Sequence, residues 1–171
     1  MNKICYCQVP VVHLFQNHTI MSFENDIKQT KKISEHQKGV ANLVLTYNQV
    51  IGKLEAFLER YDLTLPQFNI LRILRGQYPS PSTNNLIKER IIHRNSDVTR
   101  IIDRMISKGL VERTGCCNDR RKVDILISEQ GLRILEEIDS NIDIMEAILS
   151  GLEPAEMKEF NRLLDKIRTV L

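Results

Sequence analysis

Asn95-Ser96-Asp97-Val98-Thr99-Arg100-Ile101-Ile102-Asp103-Arg104-Met105-Ile106-Ser107-Lys108-Gly109-Leu110-Val111-Glu112-Arg113, followed after a short polar gap by Asp119-Arg120-Arg121-Lys122, is the stretch that decides the fold. Val98, Ile101, Ile102 and Met105 recur at helical spacing and form one apolar stripe, while Ser96, Arg100, Asp103, Arg104 and Ser107 fall on the opposite side. The spacing predicts a short helix with a dry back and an Arg-bearing front. Asn95 or Ser96 can cap its first turn, and Gly109 stands where a left-handed residue would close its last. Leu110-Val111-Glu112-Arg113 and Lys122-Val123-Asp124-Ile125-Leu126-Ile127 read as two short strands, and the polar tip between them makes a β-hairpin. A helix followed by a basic-tipped hairpin predicts a winged helix-turn-helix.

Working upstream, Val40, Val44, Tyr47, Ile51, Leu54 and Leu58 keep to one stripe of a helix over about Lys38 to Arg60, a seam suited to packing on another helix. Thr64-Leu65-Pro66-Gln67 is a capping-box pattern with proline in the first turn, where its missing N–H is harmless. Phe68, Leu71 and Leu74 supply the buried side of the helix it opens. Residues 76–82 are rich in Gly, Pro and Ser and predict a turn. Thr83 can cap a short helix carrying Leu86 and Ile87, which leads through Ile91 to Arg94 into the Arg-fronted helix.

Working downstream, Ser128 can cap one long helix with Leu132, Leu135, Ile138, Ile142, Met145 and Leu149 on a side. Gly151 and Pro154 break it. A last helix over Glu153 to Leu171 aligns Phe160, Leu164, Ile167 and Leu171. These end helices carry more apolar stripe than one small winged domain covers, and pairing of two copies in a C2 homodimer is the economical explanation.

The 171 residues suffice for one domain with a sizeable core, or a small domain flanked by dimerisation helices. Net charge is only +2, but its distribution is uneven. Residues 94–122 hold eight Lys or Arg against four acids, whereas residues 123–171 hold five against eleven. The bases gather at the predicted reading head, as in a protein that approaches phosphates. Solvated charged loops of a winged fold would show a similar bias.

Residues 1–22 differ from the rest. Val9-Pro10-Val11-Val12-His13-Leu14-Phe15 is too short and interrupted to span a membrane, and there is no clean cleavage site, so neither a membrane partner nor secretion is expected. Met21 would itself be a plausible start, and the first twenty residues read as an extension or a floppy tail. Cys5, Cys7, His13 and His18 could be drawn as a zinc set, but one residue between the cysteines is narrower than zinc loops use, so no metal is expected. The Asn17-His18-Thr19 sequon has no meaning without a secretory route. No phosphate-cradling Gly loop, His-Glu metal motif or nucleophile elbow is present, so neither an enzyme nor a cofactor is expected.

From Leu63 to Leu171 the sequence resembles the multiple antibiotic resistance regulator (MarR) family of bacterial winged-helix transcription factors. The resemblance rests on Leu63-Thr64 with Gln67-Phe68, Thr83 with Leu86, Ser96 with Val98-Thr99-Arg100, Gly109-Leu110-Val111 with Arg113, Asp119 with Arg121, and Ser128 with Gly131. The helix at Lys38 to Arg60 fits the family's N-terminal dimerisation helix. Two departures stand out: many members have a Gly in the turn before the recognition helix, where this chain has Ile91-Ile92-His93-Arg94, and the first twenty residues have no counterpart.

The fold class implied is mainly α with a small β-hairpin wing, a winged helix-turn-helix plus N- and C-terminal dimerisation helices. The expected organisation is 1–22 as a disordered or start-site extension, 23–62 as the N-terminal dimerisation region, 63–128 as the DNA-binding domain and 129–171 as C-terminal dimerisation helices. The resemblance implies a cytoplasmic homodimer, a ligand-responsive repressor on a pseudo-palindromic double-stranded DNA operator, with two recognition helices in successive major grooves. Asn95, Ser96, Thr99, Arg100 and Arg104 would meet bases and phosphates from the recognition helix. In the wing, Arg121 resembles the residue that enters the minor groove and Asp119 the one that holds it, with Arg120 and Lys122 on phosphates. A small-molecule effector is implied between dimer helices and winged domain, with Tyr47 and Phe68 as candidate lining, although their place in the apolar stripes favours core.

Cys116 and Cys117 at the wing tip are incidental residues, or thiols that Arg113, Arg120 and Arg121 would activate for redox or soft-metal sensing. The rival function is a winged-helix protein-interaction or thiol- or metal-sensing module in which these cysteines control the wing. Basic and hydroxyl residues on the front of the recognition helix favour DNA.

Overall fold

The computed structural model describes residues 33–92, 97–115, 123–141 and 143–171. Two compact units divide the chain, 1–50 and 51–171. The boundary falls within helix α1, Glu35–Glu59. In the first unit, Ser34 and Gln37 exchange side-chain bonds with each other's main-chain N–H at 3.2 and 3.0 Å, so α1 begins in a capping box three residues before the start that its apolar stripe predicts. Val40, Leu43, Val44 and Tyr47 on this part of α1 are exposed.

The second unit is built on α2, Leu65–Arg75. The predicted capping box is present: Thr64 N–H donates to Gln67 Oε1 at 3.0 Å and the Thr64 hydroxyl accepts from Gln67 N–H. A cap of this kind contributes about 1 kcal/mol. It sets the helix so that Phe68, Leu71 and Leu74, joined by Ile70, face inward. They pack in one core with Leu58, Ile87, Ile91, Val98, Ile102, Met105, Ile125, Ile127, Leu135 and Ile138. Each fully buried Leu or Ile contributes roughly 1.5–3 kcal/mol.

Residues Ser82–Thr83 form β1, followed by α3, Asn84–Arg90, with Thr83 as its predicted cap on Leu86 N–H. Then come α4, Val98–Ser107, β2, Val111–Gly115, and β3, Val123–Ile127. The wing is therefore not a two-stranded hairpin alone: β1 pairs antiparallel with β3, giving a three-stranded sheet in the order β1-β3-β2. Register runs from Val111 opposite Ile127 to Gly115 opposite Val123.

The predicted long helix after the wing is broken. Helix α5, Glu129–Asp139, is capped by Ser128 as expected, but it ends at Ser140, and a short α6, Asp143–Ala147, follows. Asn141 N–H tightens onto the Ile138 carbonyl at 3.0 Å, and its Nδ2 takes the Glu137 carbonyl at 2.8 Å, the acceptor that a continuing helix would give to its main chain. Arg75 pins the same end through Asp139 at 2.5 Å. Helix α7, Pro154–Arg168, begins at the Glu153–Glu156 box and has no fully buried residue. No described helix is long and apolar enough to cross a membrane.

Candidate nucleic-acid interface

Helix α4 has two unlike faces. Val98, Ile102 and Met105 are buried, with Ile101 and Ile106 partly covered against the core. Thr99, Arg100, Asp103, Arg104 and Ser107 are exposed along the outer side. The core thus fixes the rotation of the helix about its axis, and the rotation presents the Thr99 hydroxyl and the Arg100 and Arg104 guanidiniums together. Asp103 takes Arg113 of β2 as an ion-pair partner, whereas Arg100 and Arg104 have none among the described residues. A front of this kind suits phosphates and the acceptor edges of bases.

Both ends of α4 are determined. The N-cap is Asp97, whose carboxylate accepts from Arg100 N–H at 3.2 Å, and this corrects the expectation of Asn95 or Ser96. The last turn closes on Gly109 at φ +70, with Leu110 N–H on the Met105 carbonyl at 3.0 Å and Gly109 N–H on Ile106 at 2.9 Å. Ser128 then joins this turn to α5: its Oγ donates to the Gly109 carbonyl at 2.7 Å and accepts from Gly131 N–H at 3.0 Å. At Gly131 a Cβ would stand 2.5 Å from the Leu110 carbonyl oxygen, so only glycine allows the two backbones to approach this closely.

Three further contacts hold α4 and the turn before it, and the sequence pattern singles out none of them. Asn69 Oδ1 on α2 accepts from Ile92 N–H at 2.9 Å, fixing the chain where it leaves α3. Asp103 and Arg113 join α4 to β2. Lys108 reaches Asp62 from the end of α4, and the one available signal was a cation just before the closing glycine, the favoured place for one.

Of the predicted interface, Thr99, Arg100 and Arg104 are brought together. Asn95, Ser96, Asp119, Arg120, Arg121 and Lys122 lie outside the described residues, as do Cys116 and Cys117 and the tail residues Cys5, Cys7, His13 and His18. Phe68 belongs to the core, with the Arg72 guanidinium 5.8 Å from its ring centroid. Tyr47 is 53% exposed on α1. An open groove of about 510 Å³ is lined by Gly52, Glu55, Ala56, Glu59, Asp62, Leu63, Thr64 and Lys108, and by neither Tyr47 nor Phe68.

The MarR family model matches residues 63–123. The chain is 32% identical over 109 residues to the HTH-type transcriptional regulator MgrA of Staphylococcus aureus, covering 64% of this chain and 72% of MgrA. It is 26% identical over 126 residues to the HTH-type transcriptional repressor IacR of Pseudomonas putida, covering 73% and 74%. Among solved structures, a mutant MarR from E. coli complexed with operator DNA superposes with a TM-score of 0.67 at 24% identity, over 80% of this chain and 99% of that one.

Proposed function

This chain belongs to the MarR family of transcriptional regulators, and on that premise we propose that it is a homodimeric, cytoplasmic, ligand-responsive repressor and not an enzyme. Its target is a pseudo-palindromic operator, read by placing α4 of each protomer in the major groove. One observation carries the reading: Thr99, Arg100 and Arg104 stand together on the outer face of a helix whose inner face is locked into the core. The operator-bound E. coli structure and the repressor IacR support the same assignment.

In this reading Asn95, Ser96, Thr99, Arg100 and Arg104 meet the major groove, and Asp119, Arg120, Arg121 and Lys122 form the wing contact. Residues 63–128 are the DNA-binding domain. Regions 23–62 and 129–171 supply dimerisation. Val40, Leu43, Val44 and Tyr47 on α1 are too apolar to suit permanent exposure, which supports pairing with a second copy. A small-molecule effector acts on the dimer, and operator and effector weaken each other because coupling is reciprocal.

Selection of bound duplexes from a random pool at near-physiological salt, with the mass of the same preparation measured, tests the proposal. The expected result is a dimer that recovers an inverted repeat with half-sites about ten base pairs apart. A folded dimer that recovers no sequence preference would overturn DNA reading in favour of a protein-binding module.

A further inference from the structure

The C-terminal ends of α1 and α4 close in the same way. In α1, Leu63 N–H bonds the Leu58 carbonyl at 3.2 Å and Asp62 N–H the Glu59 carbonyl at 3.0 Å, with Asp62 left-handed at φ 53. This repeats the pattern in which Leu110 and Gly109 close α4. Each end presents carbonyls and the negative pole of a helix. Lys108, immediately before Gly109, bridges the two: its Nζ donates to the Asp62 carbonyl at 2.6 Å and lies 2.9 Å from Asp62 Oδ2.

The carboxylate of Asp62 is 88% exposed, so this ion pair contributes little to the stability of the whole fold. Its effect is local. The ammonium sits where the last turn of α4 would otherwise face another negative helix end. It ties that turn to a main-chain carbonyl as well as to an exposed side chain. A recognition element has to be held to about half an ångström, and a weak contact at the right point suffices for that.

We propose that Lys108 is a positioning residue for DNA recognition: by binding the carbonyl and carboxylate of Asp62 it holds the C-terminal end of α4 and so sets how Thr99, Arg100 and Arg104 meet the bases. The proposal rests on the reading of α4 as the recognition helix. The competing role for a lysine here is a phosphate contact, and Asp62 separates the two. If Lys108 bound phosphate, removing the Asp62 charge would tighten binding to every duplex. If Lys108 positions α4, removing it weakens binding to the operator alone.

The test compares full-length wild type, Lys108→Met, Lys108→Arg, Asp62→Asn and the Lys108→Met/Asp62→Asn double variant. Each is titrated with the selected operator and with a scrambled duplex at several salt concentrations. Asn tolerates a left-handed backbone, and thermal unfolding checks that each variant folds. Lys108→Met is expected to lower operator affinity about tenfold and Asp62→Asn about threefold, with the double no worse than Lys108→Met, because the two share one interaction. Lys108→Arg keeps most of the affinity, and scrambled-duplex affinity and salt slope stay at wild-type values.

Unchanged operator affinity in Lys108→Met overturns the proposal. So does an equal loss on both duplexes with the salt slope reduced by about one, accompanied by tighter binding of Asp62→Asn. A wild-type protein without operator preference would overturn the reading of α4 and the proposal with it, a result visible before any variant is made.

Discussion

Asp103 on α4 accepts a hydrogen bond from the Arg113 guanidinium on β2, so α4 and the strand that follows it are tied by charge across their outer surface. Both side chains are about half exposed, at 53% and 47%, which limits the contribution to folding to about 0–1 kcal/mol. Arg113→Ala is accordingly expected to leave the melting temperature nearly unchanged while weakening operator binding several-fold. Calorimetry beside DNA titration checks this, and unchanged DNA binding would reduce the pair to a surface contact.

Arg100→Ala is expected to cost about 1–3 kcal/mol at the specific site and to relax base preference at one position per half-site. Its side chain lies on the exposed face of α4, so the change should not touch the core. Repeating the duplex selection with the variant reads the preference directly. A uniform loss across all sequences would identify Arg100 as a phosphate contact.

Gly131→Ala is expected to destabilise the fold by about 1–3 kcal/mol, because the new methyl would meet the Leu110 carbonyl oxygen at 2.5 Å and Ile127 Cγ1 at 2.9 Å. The denaturant midpoint measures it. An unchanged midpoint would mean that α5 and the turn after α4 separate at no cost.

Arg121→Ala is expected to weaken operator binding with little change in melting temperature, since in the proposed function this side chain enters the minor groove. Retained affinity in a gel-shift titration would remove the wing from recognition.

Val44→Glu places a charge on the exposed stripe of α1, where Val44 is 55% accessible. The protomer should fold as before, while the dimer dissociates and operator binding falls with it. Sedimentation at several concentrations distinguishes this from a stripe that pairs with nothing.

The caps at Thr64, Thr83 and Ser128 were legible because each is a local pattern, a hydroxyl placed three residues before the N–H that it receives. The start of α4 was not, because Asn95, Ser96 and Asp97 can all cap and the pattern does not rank them. Ser82–Thr83 is too short to show strand alternation, so its pairing with β3 left no trace in the sequence. The break after α5 was hidden by apolar spacing that continues through Ile142 and Met145, while Asn141 leaves the ladder by bonding Ile138 through its N–H and Glu137 through its side chain. At the interface, periodicity revealed which face of α4 is outward. Asn69 and Ile92, or Lys108 and Asp62, are joined only by the folded chain, and no local spacing foretells them.

The contact between Gly131 and Leu110 also has a mechanical side. With no side chain between the backbones and Ser128 bonded to both, the junction of α4 and α5 is the fixed point from which any tilt of α4 would be measured. The ten residues of α4 form an arm of about 15 Å, so a rotation of about 5° at that point carries the far end through about 1.3 Å. Hydrogen bonds tolerate a spread of only about half an ångström, so a tilt this slight is enough to disengage the tip of the arm from a base edge.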